Sequence, residues 1–266
     1  YSDATALGRR ADVQVLIDGS DSTVAMQALN VSNAIALRKS FAVIRQRLPG
    51  QTQPVEFQPR VLFNPDMKTA NFMVPGLIGI VLQVVTMFLT AFAVVREKEN
   101  GTLEQLMVTP VSRLGLMVGK LAPYAFIGAF EVCMVVLLMR FLFQVPIAGS
   151  ILLLAGFSLL FLLTSLGLGL MISTISANQV QAMQIAFLVM LPSVLLSGFM
   201  FPQESMPFPI YVIGQALPVT YFIRVLRGII LRDAGFIELW PQAIGLIVIG
   251  GFLLTVSAGR FRKTLG

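Results

Sequence analysis

The chain has 266 residues, of which 56% are hydrophobic and 12% charged, with a formal charge of +6 and a mean hydropathy of +0.83. Soluble domains carry about 25% charged residues, and a chain of this length has too much surface to hide such an apolar excess, so an ordinary soluble domain is excluded. The lack of histidine removes the commonest zinc ligand and general base, and basic residues that form no dense stripe argue against nucleic acid.

The first 70 residues differ in character from the rest. Val13 to Asp18 alternates as a strand does and ends at the turn signal Gly19-Ser20-Asp21. Asp21 or Ser22 caps a predicted helix to about Arg47, with Val24, Ala28, Val31, Ala34 and Ile35 on one apolar face. Pro49-Gly50 stops it, and Val55 to Phe63 reads as a second strand. The expectation for residues 1–70 is a small α+β domain, or the remaining half of one.

Residues 71–266 are read as a membrane domain with crossings at about 72–95, 116–139, 151–172, 182–199 and 243–258. The last is short unless Trp240 and Pro241 belong to its interfacial end. From Phe141 to Gln203 there is no Asp, Glu, Lys or Arg, a stretch long enough for two crossings and a turn. Residues 201–232 hold Pro202, Pro207, Pro209 and Pro218 among apolar runs too short to span, with Arg224 and Arg227 on one helical face. A re-entrant or interfacial helical hairpin is the expectation; a soluble loop is the alternative. The fold class is thus mainly α and polytopic, with five transmembrane helices, the hairpin and the α+β domain.

Arg96, Lys98, Arg113, Lys120, Arg260, Arg262 and Lys263 gather on one side; Arg140, Arg224, Arg227 and Arg232 lie on the other. The bias of Lys and Arg toward the cytoplasm places the 96–120 loop and the C-terminus inside and residues 1–70 outside. The chain opens at Tyr1 with no export signal, so a preceding helix is expected in the native protein, six in all. The lone Cys133 cannot form an internal disulfide.

The segment Arg96 to Lys120 reads REKENGTLEQLMVTPVSRLGLMVGK. After a charged run it turns at Asn100-Gly101; Thr102 and Gln105 then have capping-box spacing, with Leu103, Leu106 and Met107 on one face. This short amphipathic helix either docks in a groove of a soluble partner or lies on lipid. Gly115 to Leu121 (GLMVGKL) is one residue short of a phosphate loop and lacks the Ser or Thr after its lysine; its glycines are expected to allow close helix packing. Glu131 is the only acidic residue within a predicted crossing. It contacts a cationic substrate in a pathway, or it is a neutral glutamic acid hydrogen-bonded to another helix.

With ADVQVLIDGSD at 11–21, Asn64-Pro65, REKENGTLEQLMVTP at 96–110, Pro123-Tyr124, VPIAGS at 145–150, GLGLMIST at 167–174, LSGFMFPQESMP at 196–207 and Leu217 to Phe222 (LPVTYF), the chain resembles the permeases of the ABC type-2 transporter family. The similarity is to the branch with an extracytoplasmic domain after the first helix. It implies a multi-pass bacterial inner-membrane permease subunit exporting hydrophobic or amphiphilic, drug-like compounds. It also implies that no cofactor is bound by this chain, ATP and Mg²⁺ belonging to a separate ABC ATPase subunit. Coupling to that ATPase would fall on the segment 96–115, through Arg96, Glu97, Glu99, Gly101, Thr102, Leu103, Glu104, Gln105, Leu106, Thr109 and Pro110. The hairpin 201–232 would lie at the outer side of a pathway for which Glu131, Arg224 and Arg227 are candidates. A second permease subunit, identical or homologous, and a periplasmic adaptor are further implied partners. No catalytic or metal-binding residue is expected.

Overall fold

The computed structural model describes residues 11–19, 22–45, 55–66, 68–101 and 113–260, and the chain divides into two compact units between Phe72 and Met73. In the first unit, β1 (Ala11–Asp18) and β2 (Val55–Leu62) lie parallel, in register from Ala11 opposite Val55 to Asp18 opposite Leu62. Parallel strands cannot be joined by a tight turn, and α1 (Ser22–Arg45) supplies the crossover. Gly19 N–H donates to Leu62 O at 2.9 Å, and a Cβ at Gly19 would lie 2.6 Å from Val61 Cγ1. A side chain there would push the strand away.

The apolar face expected on α1 is not the one that packs. Ala25 is buried, whereas Val24, Val31 and Ile35 are 41%, 57% and 47% exposed. Two strands about 5 Å apart cover only a narrow line along a helix, and that line passes through Ala25. After β2, the buried Asn64 bridges the turn into the next helix: its amide donates to Lys68 O (3.1 Å), and its Oδ1 accepts from Lys68 N (3.2 Å) and Asn71 Nδ2 (2.9 Å). Asn64→Ala removes all three bonds and is expected to destabilise this unit by about 1–3 kcal/mol, read as a lowered thermal midpoint of the purified protein.

Five helices of the second unit are long and apolar enough to cross a membrane. They are α2 (Thr69–Glu99), α3 (Arg113–Phe141, apolar from Gly119), α4 (Ile151–Ile175), α5 (Gln179–Leu196) and α8 (Phe236–Arg260). The chain is a mainly α, polytopic membrane protein, as its composition predicts. Helix ends differ from the sequence reading where caps decide them. Asn178 Oδ1 accepts from Gln181 N at 2.8 Å, so α5 begins at Gln179 rather than 182. The last helix begins at Phe236, because Pro241 falls in its second turn, where a missing N–H costs one backbone bond without ending the helix.

The hub is α4, which packs on α3, α5, α7 and α8. Small residues let backbones close on it, as is usual where lipid and core are equally apolar. A Cβ at Gly169 would lie 2.7 Å from Thr90 Cβ and 2.8 Å from Met87 O of α2. One at Gly250 of α8 would lie 2.8 Å from Thr164 Oγ1. Among the described residues nothing lies within 4 Å of a Cβ built on Gly119, expected to serve close packing; on α3 that role falls to Gly128, against Leu162 and Thr86.

The stretch 201–232 forms two helices, α6 (Phe208–Gln215) and α7 (Pro218–Arg232), bent by 85° at their junction. Pro218 at the first position of α7 forces the break, and Thr220 Oγ1 bridges it by donating to Gly214 O at 2.6 Å. Neither helix is long enough for a bilayer of about 30 Å. The contacts show a path in and back out at one end of the bundle. Residues Ala148 and Gly149 of the α3–α4 loop donate their N–H groups to Ile230 O (3.0 Å) and Ile229 O (2.9 Å) at the end of α7. That loop lies at the same end as the finish of α5. Gly79, ten residues into α2, faces Val219, Phe222 and Ile223 near the start of α7, while Gly76 faces Arg227. So α7 starts deep and ends at the surface, which excludes the soluble-loop alternative; Phe161 of α4 stacks on Phe222 with centroids 4.1 Å apart.

Candidate functional site

Three groups of polar residues interrupt the apolar bundle. The first is at the end of α2 opposite the hairpin. Here Asn100 and Gly101 close the helix through N–H bonds to Arg96 O (3.0 Å) and Lys98 O (3.2 Å), with Gly101 at φ +70°, a conformation that suits glycine. Glu97 pairs with Lys120 of α3, the lysine being largely buried. Lys98 Nζ donates to Ser176 O at 3.0 Å, and Glu99 Oε1 accepts from the backbone N–H of Gln179 at 2.9 Å. Ser176 is the C-cap of α4 and Gln179 the first residue of α5. The cation therefore sits on the negative end of one helix dipole and the anion on the positive end of the next. Arg96 is exposed.

This end frames the segment singled out from the sequence. Glu97, Glu99 and Gly101 are brought together with Lys98, Lys120, Ser176 and Gln179; Thr102, Leu103, Glu104, Gln105, Leu106, Thr109 and Pro110 lie outside the described residues. Sequence reasoning missed the α4–α5 turn as a partner. Its only signal was an uncharged polar break, Ser176-Ala177-Asn178-Gln179, between two crossings. The glycines of GLMVGKL lie inside α3, not in a loop, and Lys120 is taken up by Glu97.

The second group holds the hairpin. Arg227 Nη1 donates to Gly198 O at 2.9 Å and Nη2 reaches Phe199 O at 3.5 Å, just past the end of α5. Arg224 donates to Gln203 Oε1 and lies 5.9 Å from the centre of the Tyr221 ring. Gln203 is itself buried and donates to Leu196 O at 3.1 Å. Both arginines thus bind the turn after α5, where a cation favours the last helical carbonyls. Gln203, the centre of this network, carried no signal in the sequence.

The third group lies within the bundle. Glu131 projects from α3 with Oε2 buried and without a hydrogen-bond partner. The buried Gln83 donates through Nε2 to Ser193 Oγ at 2.8 Å, leaving its Oε1 unpartnered. Thr86 Oγ1 and Ser165 Oγ are likewise buried without partners. Among the described residues no cluster of His, Cys, Asp and Glu could hold a metal ion. An apolar cavity of about 470 Å³ between α4 and α8, lined by Leu153, Phe157, Leu160 and Ile247 among others, lies apart from these groups.

The profile of the ABC-2 family transporter proteins matches residues 1–258. The chain is 37% identical over 254 residues to the probable multidrug ABC transporter permease YbhS of Escherichia coli, covering 94% of this chain and 65% of that protein. It is 34% identical over 266 residues to the E. coli inner membrane transport permease YhhJ, covering 97% of this chain and 70% of that one. A more distant similarity, 26% identity over 198 residues, links it to ABC transporter G family member 20 of Dictyostelium discoideum, covering 74% of this chain and 27% of that protein.

Proposed function

The chain belongs to the ABC-2 transporter family, and from that premise we propose that it acts as the membrane-spanning permease subunit of an ATP-binding cassette exporter. The observation that carries this reading is the closed charged end of α2. Glu97, Lys98 and Glu99 tie the root of the 102–112 segment to α3, α4 and α5 together. A segment so rooted transmits a push from a soluble motor to three helices at once, whereas a lipid-resting loop needs no such ties. ATP and Mg²⁺ belong on a separate ATPase subunit, which contacts Arg96 through Pro110 with Glu104 and the apolar Leu103 and Leu106 at the centre. A second permease subunit completes the membrane part, and a periplasmic adaptor extends the route.

The Lys and Arg bias supports a cytoplasmic position for this end and for the C-terminus, with residues 1–70 on the far side of a bacterial inner membrane. The apolar, multi-helix bundle suits hydrophobic or amphiphilic, drug-like cargo moved outward. Coupling requires that the 102–112 segment contact the motor differently in its two states.

Purification of the full-length protein from membranes, wild type beside Glu104→Arg, tests the reading. An ATPase subunit co-purifies with the wild type and its ATP hydrolysis follows the complex; the variant loses the subunit or the stimulation. A wild-type preparation from gentle detergent that contains no ATPase overturns the proposal in favour of a membrane scaffold.

A further inference from the structure

The unpartnered polar atoms inside the bundle fall into one place when the helix registers are followed. Helices α2 and α3 run antiparallel: Glu97 meets Lys120 at one level, and further along Thr86 lies 3.5 Å from a Cβ built on Gly128. One turn beyond that second contact, three residues along each helix in opposite senses, Gln83 stands opposite Glu131. Helices α2 and α4 run the same way, with Thr90 against Gly169. Four residues back on each, one turn, Thr86 stands opposite Ser165. By register, Gln83, Thr86, Glu131 and Ser165 therefore lie within about one helical turn of a common level where α2, α3 and α4 converge, and each has a buried oxygen without a partner.

Unsatisfied buried oxygens are rare in folded proteins and each calls for a cause. Serine and threonine within helices ordinarily bond back to the preceding turn, as Thr90 does to Thr86 O (2.8 Å) and Thr164 to Leu160 O (2.9 Å). Thr86 and Ser165 do not. Gln83 spends one amide N–H on Ser193 and keeps its Oε1 buried without a partner. The ion pairs of Lys68 with Asp66 and of Lys120 with Glu97 do not reach Glu131. A carboxylate and an amide oxygen that lack a donor, beside two hydroxyls that can give or take a hydrogen bond, are matched by a ligand that brings N–H donors and positive charge.

We propose that Gln83, Thr86, Glu131 and Ser165 form a subsite for the ammonium head of a cationic amphiphile. The head group donates N–H bonds to Glu131 and Gln83, while the alkyl tail lies along the sparsely covered face of α3, where Phe130, Met134 and Leu137 are exposed. Charge-assisted bonds to a desolvated carboxylate discriminate strongly between heads. A primary ammonium satisfies both the charge and the donor requirement; a trimethylammonium satisfies only the charge, and an alcohol only part of the donor requirement. That this subsite lies on a transport route rests on the exporter reading; the binding itself does not.

The test uses the purified full-length protein in nanodiscs and measures binding of radiolabelled dodecylammonium, with dodecanol and dodecyltrimethylammonium as competitors of equal chain length. Wild type is expected to prefer dodecylammonium by about tenfold over dodecanol. Glu131→Gln abolishes that preference while leaving tail-driven binding intact; Glu131→Asp keeps part of it, and Ser165→Ala weakens it. Circular dichroism and gel filtration confirm that each variant is folded. Equal binding of the three amphiphiles by wild type, or an unchanged preference in Glu131→Gln, overturns the subsite. Because no ATPase takes part, those results leave the exporter reading untouched, and failure to recover an ATPase subunit leaves the subsite untouched in turn.

Discussion

Gly169→Leu is expected to keep the membrane bundle from assembling. The α carbon of Gly169 faces α2 so closely that even a methyl group would meet Thr90 Cβ at 2.7 Å and the carbonyl oxygen of Met87 at 2.8 Å. One obstacle is backbone and the other is the branch point of a β-branched side chain with little rotamer freedom, so neither yields by rotation. The helices must separate, and with them the packing of Met87, Ala91, Val95, Ile172, Ala182 and Ala186. Overpacking of this kind costs about 3 kcal/mol or more. Fluorescence-detected gel filtration of tagged protein in mild detergent reads the effect as loss of the monodisperse peak. Gly119→Leu is the matched control. Among the described residues no atom lies within 4 Å of its built Cβ, and the gain in helix propensity is about 1 kcal/mol, so this variant keeps the peak and does not lower the thermal midpoint.

The second large effect concerns coupling. Exchanging the charges in Lys98→Glu/Glu99→Lys is expected to reduce ATP-driven transport roughly tenfold or more, with ATP hydrolysis by the complex retained. Were these two residues paired with charged side chains, charge exchange on both sides could restore the contact. Lys98 instead binds Ser176 O at the C-terminus of α4, and Glu99 binds the backbone N–H and the neutral side-chain amide of Gln179 at the N-terminus of α5. The polarity of a helix end cannot be reversed by a compensating substitution. Each exchanged residue meets a like partial charge, and the exchange is worse than Lys98→Ala/Glu99→Ala. Glu99 is exposed, so the chain still folds; what is lost is the tie between the end of α2 and the α4–α5 turn. The measurement is transport of a fluorescent amphiphile into inverted vesicles beside phosphate release from the same vesicles. Parallel loss of both activities, or rescue in the exchanged variant relative to the double alanine, contradicts the helix-end assignment.

These two outcomes probe different energies. The glycine contact acts through short-range repulsion in a core with no slack. The charged end acts through largely exposed polar contacts that contribute little to folding, so its substitutions are expected to separate stability from function.

Much of the architecture was legible in the chain. The crossings follow from uninterrupted apolar runs, since a segment of about 20 such residues has no better solvent than lipid. The β-α-β order of the first unit follows from two alternating runs around a capped helix. Ser150 as a cap and Pro218 as a break are local chemistry that needs no tertiary partner; the equally local cap at Asn178 was missed, and α5 starts three residues before the predicted 182. Which face of each helix is inside was not legible. The apolar windows of α3 and α4 look alike as sequence, yet 6% of one and 56% of the other is buried in the bundle. Lipid tails and a protein core are equally apolar, so membrane helices carry no hydrophobic stripe that marks the buried side. On α1 a stripe existed but was misread, because the two strands present cover only the Ala25 line. The tertiary structure alone decided the partners of polar groups: Arg224 and Arg227 with the turn after α5, and Lys98 and Glu99 with the turn before it. These pairs join residues far apart in the chain, and their register is set by where Gly76, Gly128 and Gly169 let backbones approach, a steric condition that exists only once the helices have met.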